Sequence, residues 1–148
     1  MSKIVYTCFC TDVIHEGHMN IINEAKKNGD VIVGVLSDEA VIRFNRFMTI
    51  SLEERVALAK SIPGIKDVVI QKDINYVDVI EKLHPDIVIH GDNWLIEPKL
   101  SIRTKVQEQL NSYGGIIIDV PYTYNENVKR IDMRMREKLA MPEYRRAR

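Results

Sequence analysis

The chain has 148 residues, of which 21 are basic and 21 are acidic, so its formal net charge at neutral pH is zero. This length suits one domain with a sizeable core, and the balanced charge excludes general affinity for nucleic acid or for an anionic membrane. The sequence shows no secretory signal pattern and no apolar run of about 18 residues. Its two cysteines are close neighbours in a predicted strand, where they cannot crosslink a secreted fold. We therefore expect a cytoplasmic protein with reduced cysteines.

Apolar runs that alternate with helix-period segments predict the fold. The predicted strands cover residues 4–9, 31–36, 68–70, 87–90 and 116–120. The predicted helices cover residues 17–28, 39–44, 52–61, 76–83 and 98–112. A capping box at Ser51 marks the start of the third helix. Nearly continuous apolar strands are typical of a parallel sheet that is buried on both faces. The alternation predicts a three-layer, Rossmann-like α/β domain with a five-stranded parallel sheet.

A pair of histidines stands at the junction between the first strand and the first helix. His15 and His18 are separated by Glu16 and Gly17 and follow Asp12. The start of a helix directs free N–H groups and a partial positive charge toward a ligand, and the two imidazoles add donors for phosphoryl oxygens. Gly17 allows the backbone to approach that ligand closely. The segment predicts a site for a phosphate chain and therefore nucleotide chemistry.

A metal site is the alternative interpretation of the same segment. Cys8 and Cys10 alternate along the predicted strand and, with His15 and His18, supply four ligands that zinc accepts. Structural zinc sites usually space paired ligands by about two to four intervening residues, which Cys8 and Cys10 do not. The segment also lacks the spacing of the zinc-protease helix motif. The phosphate site is the favoured interpretation.

A second polar segment follows the fourth predicted strand. It consists of His90, Gly91, Asp92, Asn93 and Trp94. Parallel α/β sheets bind ligands beyond the carboxyl ends of their strands, and both this segment and the histidine pair follow strands at that edge. The two segments are therefore predicted to converge on one site.

Several segments resemble a known family of enzymes. Residues 12–18, which read DVIHEGH, resemble the H-x-G-H signature of the cytidylyltransferase-like nucleotidyltransferases, and His90-Gly91-Asp92 resembles the H-G-D segment of their cytidylyltransferase branch. Residues 20–25, 37–40, 53–55, 90–94 and 121–123 look like the nucleotidyltransferase domain that accompanies phosphoenolpyruvate phosphomutase in phosphonate biosynthesis. The resemblance covers the chain in order up to about residue 123.

The resemblance implies an activity. A cytidylyl group would move from CTP to a small phosphonate, 2-hydroxyethylphosphonate or 2-aminoethylphosphonate, with release of pyrophosphate. Mg²⁺ would be the cofactor, held mainly by the phosphates of the nucleotide. The alternatives are a cytidylyltransferase for a phosphate monoester such as glycerol 3-phosphate, and a nucleotide-binding regulatory domain without turnover.

The resemblance also assigns residues to roles. His15 and His18 would be catalytic, because they would donate to the triphosphate as charge develops on it. The nucleotide-binding residues that it implies are Phe9, Cys10, Asp12, Gly17, Arg55, His90, Asp92, Trp94 and Asn127. Trp94 would offer a flat surface to the base or the acceptor, or would only cover the edge of the sheet. Arg55 would approach the phosphates, or would lie on a solvated helix face.

Two departures from the family pattern concern the residues that bind the β- and γ-phosphates of the nucleotide. The family often has a lysine after the second strand, where this chain has Arg43 and Arg46 nearby as substitutes. The serine- and threonine-rich element of the family, expected after residue 123, is replaced by a segment that carries Lys129 and Arg130. We expect Arg46, Lys129 and Arg130 to contact phosphates.

The chain is expected to divide near residue 124. Residues 1–124 would form the nucleotidyltransferase domain, and residues 125–148 a basic C-terminal arm or a linker to a further domain. We expect a homodimer, since related domains commonly pair. Fusion to a phosphoenolpyruvate phosphomutase domain is also expected from the resemblance, whereas nucleic acid and membrane partners are not.

Overall fold

A parallel sheet forms the centre of the molecule. The computed structural model describes residues 2–9, 16–43, 50–95, 99–121, 130–131 and 133–134. The strands are β1 (Ile4–Phe9), β2 (Asp30–Leu36), β3 (Ile65–Gln71), β4 (Ile87–Gly91) and β5 (Ile116–Val120). They lie in the spatial order β3-β2-β1-β4-β5, and every neighbouring pair is parallel. The predicted Rossmann-like α/β fold with a five-stranded parallel sheet is confirmed.

Helices cover both faces of this sheet. They are α1 (Glu16–Lys26), α2 (Asp38–Arg43), α3 (Leu52–Lys60), α4 (Val77–Leu83) and α5 (Lys99–Asn111), with a short 3₁₀ helix over Asp92–Leu95. One core cluster joins strand residues such as Val5 to Ile22 of α1 and Ala59 of α3. A second large cluster joins Tyr6 to Leu110 of α5, and includes side chains of α4 and the 3₁₀ helix. Because neighbouring strand residues point to opposite faces, these clusters form the two interfaces of a three-layer domain.

The third strand is longer than the sequence predicts. The apolar pattern indicates residues 68–70, whereas β3 runs from Ile65 to Gln71 and pairs with β2 over that length. It lies at the edge of the sheet, and its exposed Lys66 and Asp67 interrupt the apolar run. Hydrophobicity underestimates such a strand because only part of it is buried. The predicted ends of the second and fifth helices, at residues 44 and 98, lie outside the described residues.

The capping box at the start of α3 is confirmed. The Ser51 hydroxyl accepts a hydrogen bond from the Glu54 backbone N–H at 3.1 Å, and the Glu54 carboxylate accepts one from the Ser51 N–H at 3.0 Å. These reciprocal bonds satisfy two N–H groups that a helix start leaves without partners. The first turn of α3 also carries Arg55, whose guanidinium reaches the end of β2.

Tyr6 crosses the sheet surface from β1 to β3. Its ring passes over Gly34 of β2, where an added Cβ would overlap the hydroxyl oxygen and approach Cζ to 2.6 Å. Beyond Gly34 the Tyr6 hydroxyl donates to Oε1 of the buried Gln71 at 2.6 Å. Gly34 is therefore needed for close approach rather than for a turn.

The described helices include none with the length and apolar character needed to cross a membrane. Of the predicted basic arm, only residues 130–131 and 133–134 are described, and their backbone is helical. The boundary near residue 124 stays a prediction.

Candidate functional site

The candidate site lies at the carboxyl edge of the sheet, where β1 and β4 are neighbours. From β1 the chain continues to β2 and β3 on one side, and it returns to β4 and β5 on the other. The crevice between β1 and β4 is therefore the point at which the strand order reverses, which is where open parallel sheets bind ligands. The two polar segments singled out in the sequence follow these two strands, as predicted.

His18 lies in the first turn of α1, beyond the end of β1. Its imidazole contacts the Phe9 ring edge to face, with ring centroids 4.7 Å apart and an interplanar angle of 71°. Gly17 is buried in the same turn. This imidazole therefore stands next to the backbone N–H groups of a helix start, the place where phosphate oxygens bind.

His90 lies on the opposite face of the sheet from His18. Phe9, the neighbour of His18, belongs to the core cluster of α1 and α3. His90 instead stacks on Trp94, a member of the cluster formed with α4 and α5. The imidazole and indole centroids are 4.1 Å apart, and the rings are within 11° of parallel. The two segments reach the same edge, but they flank it from different faces.

Trp94 is part of the core rather than an open platform. Its side chain is 1% exposed, and His90 lies against its indole. The indole Nε1 donates to the Asp119 carboxylate at 2.6 Å, and the Tyr76 ring lies tilted beside it at 6.0 Å. The flat surface expected from the sequence is therefore occupied by protein, and a contact between Trp94 and the nucleotide stays a prediction.

His90 is held as an uncharged imidazole. Burial lowers the pKa of His90 from 6.5 to about 4; the hydrogen bond to Gly91 and the charge of Asp119 oppose this, and the charge of Lys99 adds to it. Nδ1 lies 2.7 Å from the Gly91 carbonyl oxygen. Because a carbonyl only accepts hydrogen bonds, Nδ1 carries the proton, and Nε2 of the neutral ring is an acceptor.

An open cavity lies against His90, between the strand ends and α5. Its empty space, including the part open to solvent, is about 430 Å³. The wall includes Cys8, Gln71, Tyr76, His90, Trp94 and Lys99, together with aliphatic side chains. Small-molecule sites are typically apolar clefts with a few placed polar groups. Here those groups include the neutral His90 imidazole and the Lys99 cation.

Arg55 is engaged in internal contacts. It is 3% exposed, and its guanidinium donates to the Leu36 carbonyl at 2.7 Å and to the Asp38 carboxylate at 2.6 Å. These bonds tie α3 to the end of β2 and the start of α2. The alternative in which Arg55 lies on a solvated helix face is therefore wrong. A contact between Arg55 and the nucleotide stays a prediction. Arg43 forms an exposed ion pair with Asp73 at 3.1 Å.

Some of the predicted site residues lie outside the described residues. They are Cys10, Asp12, His15, Arg46, Asn127 and Lys129. Of the others, Asp92 begins the 3₁₀ helix and is partly buried, and Arg130 is exposed. The described ranges contain no group of three or more His, Cys, Asp or Glu side chains that could hold a metal ion. Two of the four ligands of the zinc alternative, Cys10 and His15, are outside those ranges.

The sequence interpretation missed Asp119 and Arg103. Asp119 pairs with His90 across β4 and β5, and Arg103 of α5 grips its carboxylate at 2.7 and 3.1 Å. A signal was present, because Asp119 interrupts the otherwise apolar run of β5 near its carboxyl end. A charged residue at that place in a strand has to find a partner at the sheet edge.

Comparison with known proteins identifies the family. The family model described as cytidylyltransferase-like matches residues 5–145. The chain belongs to the cytidylyltransferase-like family. The prediction of a nucleotidyltransferase enzyme is thereby confirmed at the level of this family. The match extends over most of the predicted basic arm as well as the sheet domain.

Curated relatives of this chain include much longer proteins. Bifunctional protein HldE of Helicobacter pylori (strain Shi470) is 34% identical over 133 residues, which are 84% of this chain and 29% of that protein. Bifunctional protein HldE of Desulfatibacillum aliphaticivorans is 30% identical over 122 residues, covering 80% of this chain and 24% of that protein. The chain therefore spans about a quarter of the length of these curated relatives.

Solved structures share the fold. The lipopolysaccharide core biosynthesis protein from Thermoplasma volcanium superposes with a TM-score of 0.70 at 19% identity, covering 83% of this chain and all of that one. Pantothenate synthetase from Thermus thermophilus gives a TM-score of 0.57 at 12% identity, covering 84% of this chain and 58% of that one. At these identities the likeness concerns the fold alone.

Proposed function

We propose that this domain transfers a cytidylyl group from CTP to a small phosphonate, 2-hydroxyethylphosphonate or 2-aminoethylphosphonate, and releases pyrophosphate. The observation that carries the proposal is the placement of His18 and His90 at one sheet edge, on either side of the β1–β4 crevice. One face then offers a helix start for phosphates, and the other offers a cavity for an acceptor. The phosphonate itself rests on the resemblance of the sequence segments.

The chemistry is a displacement at phosphorus. An oxygen of the phosphonate forms a bond to the α-phosphorus of CTP, and the bond from that phosphorus to the bridging oxygen of the β-phosphate breaks. Pyrophosphate leaves with the electron pair, and no covalent enzyme intermediate is needed. His15 and His18 donate hydrogen bonds as negative charge builds on the phosphoryl oxygens, while the start of α1 orients them. Catalysis therefore comes from positioning and charge stabilisation.

Mg²⁺ is proposed to enter with the triphosphate. Phosphate oxygens are the hard ligands that Mg²⁺ prefers, and the ion usually keeps several waters rather than binding in an all-protein cage. The described side chains that line the cavity include those of Cys8, Gln71, Tyr76, His90 and Lys99 but no carboxylate. Bound to the phosphates, the ion would neutralise charge on the leaving pyrophosphate.

A phosphate monoester such as glycerol 3-phosphate is the second candidate acceptor. The Lys99 cation in the cavity wall supports either acceptor, because phosphonates and phosphate monoesters carry the same anionic oxygens. The relatives named as bifunctional proteins support a further proposal, that the domain works as one unit of a longer polypeptide. We also propose that the domain is linked to a phosphoenolpyruvate phosphomutase, forms a homodimer and is located in the cytoplasm.

The experiment is an acceptor screen with pyrophosphate as the readout. Purified protein, Mg²⁺ and either CTP or ATP are incubated with each phosphonate and with glycerol 3-phosphate. We expect release with CTP and a phosphonate. If pyrophosphate is released only with glycerol 3-phosphate, the acceptor is a phosphate monoester. If the protein binds nucleotide but releases no pyrophosphate with any nucleotide and acceptor, it is a nucleotide-binding domain without turnover.

His15→Ala and His18→Ala test the assignment of the catalytic donors. Each is expected to lower kcat by about 10²–10³, because one transition-state donor is lost, while CTP binding changes little. His84→Asn is the matched control, since His84 precedes β4 at the opposite edge and its left-handed backbone (φ 47°) is tolerated by asparagine. Turnover within about threefold of wild type in both alanine variants would contradict the assignment.

A further inference from the structure

A hydrogen-bonded network connects the cavity wall to α5 and β5. Oδ1 of Asp119 accepts from Trp94 Nε1 at 2.6 Å and from Arg103 Nε at 3.1 Å. Oδ2 accepts from Arg103 Nη2 at 2.7 Å. The guanidinium thus holds both oxygens of the carboxylate, and two-pronged pairs of this kind fix orientation as well as adding energy. The Asp119 carboxylate has one defined position, and the indole donates to it there.

The charge state of Asp119 follows from the same contacts. Burial raises the pKa of Asp119, but hydrogen bonds from Arg103 and Trp94, with the charge of Arg103 and the charge that His90 carries in acid, lower it below 3.8 overall. The carboxylate is therefore ionised at neutral pH. Its side chain and that of Arg103 are 24% and 21% exposed. Ion pairs near the surface contribute only about 0–1 kcal/mol to stability, so stability alone gives a weak reason for this arrangement.

The hydrogen-bonded network determines which groups surround the His90 imidazole. The Nε1 bond fixes the Trp94 indole, and the indole covers one side of the His90 ring at 4.1 Å. The Gly91 carbonyl accepts the Nδ1 proton at 2.7 Å. Among the described residues, Nε2 makes no hydrogen bond. A neutral imidazole held in this way offers its Nε2 lone pair to a ligand that donates.

We propose that Asp119 is a positioning residue: gripped by Arg103, it holds Trp94 against His90, so that His90 Nε2 accepts a hydrogen bond from the acceptor substrate. The cavity would then select acceptors that carry a hydroxyl or ammonium donor beside the phosphoryl group. This selection rests on the proposed function, because it concerns the acceptor of that reaction.

Arg103 has a second part in the arrangement, because it neutralises the carboxylate next to His90. The charged and titratable groups that face His90 come from several elements. They are Lys99 of α5, Asp119 of β5, Tyr76 before α4 and Cys8 of β1, while Arg103 of α5 acts through its contact with Asp119. Without Arg103 the Asp119 anion would favour an imidazolium, and with Asp119 neutral that attraction would be absent.

The first test uses the single tryptophan of the chain, which lies against the imidazole. Trp94 fluorescence is followed as the protein without substrate is acidified, since an imidazolium quenches a stacked indole. In Arg103→Gln the midpoint should rise by about one pH unit or more, and Arg103→Lys should restore it in part. In Asp119→Asn the midpoint should stay or fall. Asp30→Asn, which breaks the Lys66 ion pair at the opposite edge, is the control.

A higher midpoint in Arg103→Gln without a higher midpoint in Asp119→Asn distinguishes positioning from loosened packing. A structural role alone would expose His90 in both variants and would raise the midpoint in both. That result, or no change in either variant, would overturn the proposal. If Arg103→Gln does not fold, Arg103→Lys provides the same comparison with a smaller expected rise.

The second test measures acceptor binding, also by Trp94 fluorescence. Wild-type protein is titrated with 2-hydroxyethylphosphonate and with ethylphosphonate, which lacks the donor. We expect about tenfold tighter binding of the hydroxyl compound, the usual contribution of one hydrogen bond, and no preference in Asp119→Leu, which offers no acceptor to the Trp94 N–H. Equal affinities in wild type would overturn the selection. Neither test needs turnover, so a failed acceptor screen would refute the proposed function without deciding this inference.

Discussion

Acidification should remove stability from this protein through His90. The pKa of His90 is lowered from 6.5 to about 4, chiefly by burial. The unfolded chain therefore binds a proton between these values that the folded protein does not bind, and stability falls as pH falls through this window. The full effect corresponds to about 3 kcal/mol, at about 1.4 kcal/mol for each pKa unit. At pH 5 about 2 kcal/mol of it should already be lost relative to pH 8.

The measurement is urea unfolding at a series of pH values from about 8 to 5, for wild type and His90→Asn. Asparagine retains an N–H that can donate to the Gly91 carbonyl, but it does not titrate. The variant should therefore lack the His90 part of the acid slope, whereas His84→Asn should retain it. The lowered pKa of Asp119 acts with the same sign but only below about pH 4, because its ordinary value is 3.8. Parallel losses of stability in wild type and His90→Asn would refute the reasoning.

Three further predictions address packing, phosphates and metal. Gly34→Ala should destabilise the protein by about 1–3 kcal/mol, because its Cβ would overlap the Tyr6 hydroxyl; denaturant unfolding measures this, and a loss under about 0.5 kcal/mol would contradict it. Changing both Lys129 and Arg130 to alanine should weaken the binding of CTP much more than the binding of CMP. Equal losses of affinity would mean that other residues bind the β- and γ-phosphates. Activity should require added Mg²⁺, and elemental analysis should find no stoichiometric zinc; one tightly bound zinc per chain would reverse this.

The elements of the fold could be predicted from sequence where the apolar run is nearly continuous. β1 and β5 were predicted to the residue, since each is an uninterrupted or nearly uninterrupted apolar run. The capping box at Ser51 was predictable because it depends on residues three apart in the chain. β3 was underestimated because Lys66 and Asp67 interrupt its apolar run, and its backbone pairing with β2 leaves little trace in its side chains.

The candidate site was predictable only in part. Strand-end positions are enough to bring His18 and His90 to one edge, because all strands of a parallel sheet point the same way. Which face each side chain occupies depends on packing against α1 or against α5. The role of Trp94 likewise depends on Asp119, which is 25 residues away in the chain and contacts its indole only after β5 has paired with β4.

The sequence by itself determined the class of fold, the sheet edge that carries the candidate site and the family, because periodicity and short motifs are local properties of the chain. Tertiary structure alone decided the charge state of His90, the burial of Trp94 and the internal bonds of Arg55. Each of these depends on which distant groups surround a side chain, and the free energy of a buried charge or hydrogen bond is determined by those surroundings.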